Sequence, residues 1–216
     1  MEPSHRKLAE IALAVAGDQG FALAGGYALR AHGMGNRPSG DVDLFTDWHR
    51  RADFPAAVMA VIAALEEHGY AVATTVSGDT FARLLVTSLT EPDTGADKLE
   101  LSADWRAHPP VLLDIGPVLH PDDAVANKMC ALYGRALPRD FLDVDATITS
   151  GRYSRDRLLD LAKKSDNGFD PHMFADALGA LSQITDDAFA EYDVPYEHIT
   201  AMRRRFAEWR QTLQTP

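Results

Sequence analysis

Positive charge is scarce in this chain, and cysteine is nearly absent. Its 216 residues carry 21 Lys and Arg against 32 Asp and Glu, a net charge of −11. That balance argues against a broad surface gripping nucleic acid non-specifically, because such binding rests on neutralised phosphates. A polynucleotide held by a few local arginines stays compatible with it. The one cysteine, Cys130, rules out an internal disulfide and a cysteine-rich zinc site. It sits beside Met129 and Leu132 in an apolar helical pattern and reads as a core thiol. No stretch approaches the roughly 20 apolar residues of a membrane-spanning helix. The opening MEPSHRKLAEIALAVAG lacks the apolar run and cleavage pattern of a secretory signal, so a cytoplasmic chain without membrane attachment is expected. Internal repeats and low-complexity segments are also lacking.

What is present is an ordinary globular composition, 46% hydrophobic and 25% charged, in a chain long enough for one domain or a domain with a small appendage. The stretch that carries chemistry is FALAGGYALRAHGMGNRPSGDVDLFT, Phe21 to Thr46. Its pattern predicts a strand, a glycine turn, a short helix over Tyr27–His32, a loop, and a second strand bearing Asp41 and Asp43. Residues two apart in a strand point the same way, roughly 7 Å from each other. Val42, Leu44 and Phe45 can then enter a core while the acids converge on a cleft. Two carboxylates about 4 Å apart repel by about 4 kcal/mol at an effective dielectric near 20, so burial of the pair calls for cations. Mg²⁺ suits hard oxygen donors in an Asp-x-Asp pair. The plainer alternative is an amphipathic strand whose acids face water. Gly25-Gly26 ahead of a helical run adds backbone N–H groups and a positive helix end to receive a phosphate.

Elsewhere, Leu8, Ile11, Leu13 and Val15 predict a helix over 4–18 stopped at Gly17, and Phe54, Val58, Val61, Ile62 and Leu65 a helix over Asp53–His68 stopped at Gly69. Tyr70–Val76 and Thr80–Ser88 read as a hairpin about Ser77-Gly78-Asp79. A turn-rich loop over Glu91–Asp97 leads into a strand, Lys98–Ala103. In that strand Glu100 faces away from Leu99 and Leu101, and it completes a three-carboxylate cluster if the strand lies beside Asp41. Asp104 is the competing third acid. Pro109–Gly116 is a short apolar segment. A helix from Pro121 to about Gly134 aligns Lys128 and Arg135 along a basic stripe, and Pro138 opens another in which Arg139 and Asp143 stand at i,i+4 and Asp140 and Asp143 share a face. The modest reading there is a salt bridge; the functional one is an acid that orients Lys128 or Arg135 toward phosphates. Beyond Gly151 the pattern is helical, ending in MRRRFAEWR, whose Arg203, Arg204, Arg205 and Arg210 form the best local basic patch for an RNA backbone, or a solvated helix face.

Together these residues resemble the nucleotidyltransferase toxins of the AbiEii and MenT group, within the polymerase-beta-like superfamily. The superfamily's glycine turn and Asp-x-Asp strand stand here as Gly25-Gly26 and Asp41-Val42-Asp43. The group's Arg-x-Ser ahead of the acids is matched by Arg37-Pro38-Ser39, its helical lysine by Lys128, and its arginine followed by paired helical acids by Arg139 with Asp143, Val144 and Asp145. The resemblance covers about the first two-thirds of the chain, and the C-terminal helices carry no matching motif. The group's usual third Asp is a departure here, with Glu100 or Asp104 in its place.

The resemblance implies an α/β (α+β) fold: a mixed-sheet nucleotidyltransferase core over 1–120, and a helical C-terminal region over 121–216 completing the active-site cleft. It also implies transfer of a nucleoside monophosphate from an NTP to an acceptor, the 3′ end of tRNA in the better-understood toxins, with a separate antitoxin restraining the enzyme. Asp41, Asp43 and Glu100 are then expected to hold one or two Mg²⁺ ions. Gly25, Gly26, Arg37, Ser39, Lys128 and Arg135 would bind the nucleotide, and Asp143 would position the cations. A small molecule or protein as acceptor, and a non-catalytic scaffold or regulatory subunit, are the alternatives.

Overall fold

The computed structural model describes residues 1–91, 93 and 95–215; Pro92 and Thr94 of the expected 91–97 loop lie outside the described residues. The chain forms two compact units, Met1–Ala31 with Ser39–His120, and His32–Pro38 with the chain from Pro121 onward.

The first unit is built on a 7-stranded sheet in the order β3-β4-β5-β2-β1-β7-β6. These are β1 Ala22–Leu23, β2 Asp41–Asp47, β3 Tyr70–Ser77, β4 Phe81–Ser88, β5 Ala96–Asp104, β6 Val111–Leu113 and β7 Gly116–Val118. β2 and β5 run parallel, with Val42 opposite Leu99 and Leu44 opposite Leu101, while β4 joins β5 antiparallel. Strict alternation does the rest. Val42, Leu44, Leu84, Val86, Leu99 and Leu101 are buried on one face, and each residue between them is turned to the other.

Two helices, α1 Pro3–Ala16 and α3 Phe54–Glu67, supply the matching apolar stripes, Leu8, Ile11, Leu13 and Ala16 from one, Phe54, Val58, Val61 and Leu65 from the other. α1 ends at Ala16 with Gly17 as its C-cap, as expected, but Gly17 stays right-handed at φ −59°, and the left-handed turn comes at Gly20, φ +85°, after a 3-10 turn. The segment 109–116, read only as apolar, begins a short hairpin of β6 and β7; three-residue strands are too brief to show periodicity.

The second unit is helical: α4 Pro121–Arg135, α5 Pro138–Thr149, α6 Arg155–Ser165, α7 Pro171–Gly179 and α8 Tyr196–Gln214. Ser154 and Asp170 cap α6 and α7 through their side chains, satisfying first-turn N–H groups. Rings fill its core, with Phe141 against Phe206 at 5.4 Å and Phe174 against Trp209 at 5.2 Å, both edge to face. Helix α5 is unusual in burying three aspartates, Asp140, Asp143 and Asp145. Buried carboxylates of this kind require partners, and each has one. Among the described residues no helix is long and apolar enough to cross a membrane.

Candidate active site

The β2/β5 register sets Asp43 opposite Glu100 and Asp41 opposite Lys98. All four therefore share the polar face of the sheet. Ligand oxygens of Asp41, Asp43 and Glu100 lie within 4.8 Å of one another. Asp104 stands further along β5 opposite Asp47, and its carboxylate accepts from the Trp105 backbone N–H at 2.8 Å. Glu100 is thus the acid that the geometry brings to Asp41 and Asp43.

Cations already attend this cluster. Lys98 Nζ lies 2.9 Å from Asp41 Oδ2 and 3.5 Å from Glu100 Oε1. Arg83, opposite Glu100 on β4, donates Nε–H to Glu100 Oε1 at 2.8 Å. Lys98 and Arg83 offset part of the negative charge that the three carboxylates bring together. Such a set of hard oxygen donors fits a divalent cation. Both neighbours were legible in principle, Lys98 from its spacing of two from Glu100 and Arg83 once the hairpin register is known.

Gly25 opens α2 Gly25–Ala31 at φ +60°, and Gly26 follows it in the first turn. A Cβ built on Gly25 would stand 1.8 Å from Asp43 Oδ2. The helix begins on the glycines themselves because only glycine allows this approach at a left-handed backbone angle. Ser39, ahead of β2, donates its hydroxyl toward Asp41 Oδ1 at 3.1 Å, so its side chain serves the first acid directly.

The remaining predicted residues gather in the helical unit. Asp143 accepts from Arg37 Nε at 2.7 Å and Nη2 at 2.8 Å, and Lys128 Nζ is 2.9 Å from its Oδ2. Burial alone would push the Asp143 carboxyl up, but the Lys128 ammonium and the Arg37 guanidinium outweigh it and hold it below the ordinary carboxylate range. Arg37 also lies over the Tyr192 ring at 5.5 Å, a contact no local motif announces. Arg135 forks onto Asp140 at 2.9 and 2.8 Å.

The arginine-rich end of the chain is largely occupied internally. Arg205 binds the fully buried Asp145 through two bonds of 2.7 and 2.6 Å. Arg203 donates to the carbonyls of Leu181 and Ile184 and to Asp186. As a surface for RNA the patch is smaller than its sequence predicts.

A glycine-braced carboxylate cluster on a mixed sheet, with a helical region behind it in sequence, matches the nucleotidyltransferase pattern that the sequence resembles. The profile of the family described as "Nucleotidyl transferase AbiEii toxin, Type IV TA system" matches residues 6–212, and the chain belongs to that family. Membership implies a nucleotide substrate and a cognate antitoxin. Solved structures share the fold. JHP933 from Helicobacter pylori aligns with a TM-score of 0.59 at 17% identity, covering 98% of this chain and 92% of that one. A putative nucleotidyltransferase from H. pylori aligns at 0.61 and 16% identity, over 97% and 93% of the two chains. MenT4, a nucleotidyltransferase toxin from Mycobacterium tuberculosis, aligns at 0.60 and 18%, over 97% and 86%. No functionally curated protein is significantly similar in sequence.

Proposed function

We propose that the chain is a Mg²⁺-dependent toxin of the cytoplasm that moves a nucleoside monophosphate from an NTP to the 3′ end of tRNA, blocking translation until its antitoxin intervenes. The observation that carries this is the convergence of Asp41, Asp43 and Glu100 beside a glycine with no room for a side chain. A non-catalytic scaffold has no use for three mutually repelling acids held this close.

In the reaction the acceptor hydroxyl oxygen bonds to the α-phosphorus, the bond from that phosphorus to the β-bridging oxygen breaks, and pyrophosphate departs with the bridging oxygen. The hydroxyl proton passes to the Glu100 carboxylate. Asp41, Asp43 and Glu100 would hold one or two Mg²⁺ ions, which when bound supply charge stabilisation for the attacking and leaving oxygens. Backbone N–H groups of Gly25 and Gly26 cradle phosphate oxygens. Lys128 and Arg37 are proposed as nucleotide-binding cations, with Asp143 fixing where both point. Ser39 orients Asp41, and Arg135 braces the corner from α4 to α5 through Asp140.

A second reading, with a protein or small molecule as acceptor, is favoured by the net charge of −11 and by the internal use of Arg203 and Arg205. Incubation with each α-³²P-labelled NTP plus total tRNA, protein extract or neither separates the two. Label at the tRNA 3′ end supports the first reading, and label in the protein or small-molecule fraction supports the second. No label in any fraction contradicts both.

A further inference from the structure

Four hydrogen bonds run in series from Asp97, through His5 on α1, to the first acid of the site. His5, buried on α1, sets Nδ1 2.7 Å from Tyr27 Oη and Nε2 3.1 Å from Asp97 Oδ1. Tyr27, buried on α2, donates to the Ser39 carbonyl at 3.2 Å, and the Ser39 hydroxyl donates toward Asp41 Oδ1. A phenol has one proton. The Ser39 carbonyl can only accept, so its bond to Tyr27 uses the phenol proton, and the His5 ring joins the series between Tyr27 Oη and Asp97 Oδ1. Burial raises the Tyr27 pKa, which keeps its hydroxyl a donor.

A buried histidine and tyrosine that merely satisfied each other would end at the pair. Here the tyrosine hydroxyl donates to the backbone of Ser39, whose own hydroxyl donates to Asp41. We infer that Tyr27 and His5 are positioning residues of the transfer site, holding the Ser39 peptide so that Asp41 presents its carboxylate in the orientation that a divalent cation requires. The inference rests on the assignment of Asp41 as a metal ligand. Outer partners of ligating carboxylates govern affinity even though they touch no metal.

The test is Mn²⁺ titration followed by electron paramagnetic resonance, with NTP kinetics alongside, on the full chain. Tyr27→Phe keeps the ring and its edge contact with His5, 5.6 Å between centroids, and removes only the hydroxyl. It is expected to raise the Mn²⁺ Kd about tenfold and lower kcat comparably, with KM for NTP within about twofold. His5→Ala should move both readouts the same way. His5→Asn, which returns an N–H near the Nδ1 position, should recover most of the loss. Native Mn²⁺ affinity and kcat in both Tyr27→Phe and His5→Ala overturn the inference. If Tyr27→Phe fails to fold by circular dichroism, the His5→Ala and His5→Asn pair decides, and equal losses in the two mark a packing role only. Asp41→Asn separates the levels. Native Mn²⁺ binding in that variant removes the metal assignment and the inference with it, whereas lost binding there beside native binding in Tyr27→Phe removes only the inference.

Discussion

The Asp43 carboxylate occupies the place where a side chain on Gly25 would stand, 1.8 Å from the Cβ position to Oδ2. Gly25→Ala therefore meets both backbone strain at φ +60° and a clash with a site carboxylate. Gly33, at φ +73° with nothing within 4 Å of its Cβ position, meets strain alone. Both alanine variants should lose about 1–2 kcal/mol from the left-handed backbone, a Tm drop of several degrees in a chain of this size. Only Gly25→Ala should also lose nucleotidyl transfer, by about a hundredfold or more. Similar activities in the two variants would show that Asp43 does not need its present position.

Lys98 stands between Asp41 and Glu100 in the place of a counter-ion. Lys98→Met should leave the carboxylates less neutralised, lowering the Tm of the metal-free protein by a few degrees. Saturating Mg²⁺ should then raise the Tm of the variant more than that of the native chain, because no ammonium competes. Thermal melts with and without MgCl₂ measure this, and equal Mg²⁺ shifts in the two proteins would refute it.

Asp143 links the buried Lys128 and the part-buried Arg37, and Asp143→Asn removes the carboxylate charge that both bind. Loss of one member of a buried ion cluster costs about 3–5 kcal/mol. Because Lys128 and Arg37 hold the Asp143 carboxyl below its ordinary value, its contribution is present above the unfolded value near 3.9. It is lost as pH falls through the lower folded value. The stability gap between native and Asp143→Asn should stay constant from about pH 7 to 5 and narrow below about 4. A gap unchanged to pH 3 would show that the carboxylate is not held by these cations.

Arg205 belongs to the interior by way of Asp145, whose pairing raises the guanidinium pKa further. Arg205→Ala should cost about 3 kcal/mol by removing the two-bond partner of a buried carboxylate that then keeps His198 Nε2 at 3.0 Å, with KM for NTP unchanged in the fraction that stays folded. Unchanged stability with weakened acceptor binding would return this residue to a surface role.

Much of the first unit could be read directly because its periods are long. Eight-residue strands and fourteen-residue helices repeat their apolar pattern several times, and alternation alone put Asp41 and Asp43 on one face of their strand and turned Glu100 away from Leu99 and Leu101 on its own. The pairing of β2 with β5 is what joined those faces, and strand neighbourhood is a long-range property that no local pattern encodes. Lys128 is expected to be oriented by Asp143 of the next helix, and the two do pair at 2.9 Å, but no local pattern shows that Arg37, 106 residues from Asp143 in sequence, joins the same carboxylate. The arginines of α8 looked like a surface patch because a helix carries no mark of which charged face is buried. Asp145 on α5 decided that for Arg205.

The central claim is tested most directly by Asp43→Asn. The variant should fold as the native chain does by circular dichroism and melt within a few degrees of it. When α-³²P-NTP, Mg²⁺ and tRNA are supplied, it should transfer no label, while the native protein labels the tRNA 3′ end. Label transfer by Asp43→Asn at the native rate would contradict the account.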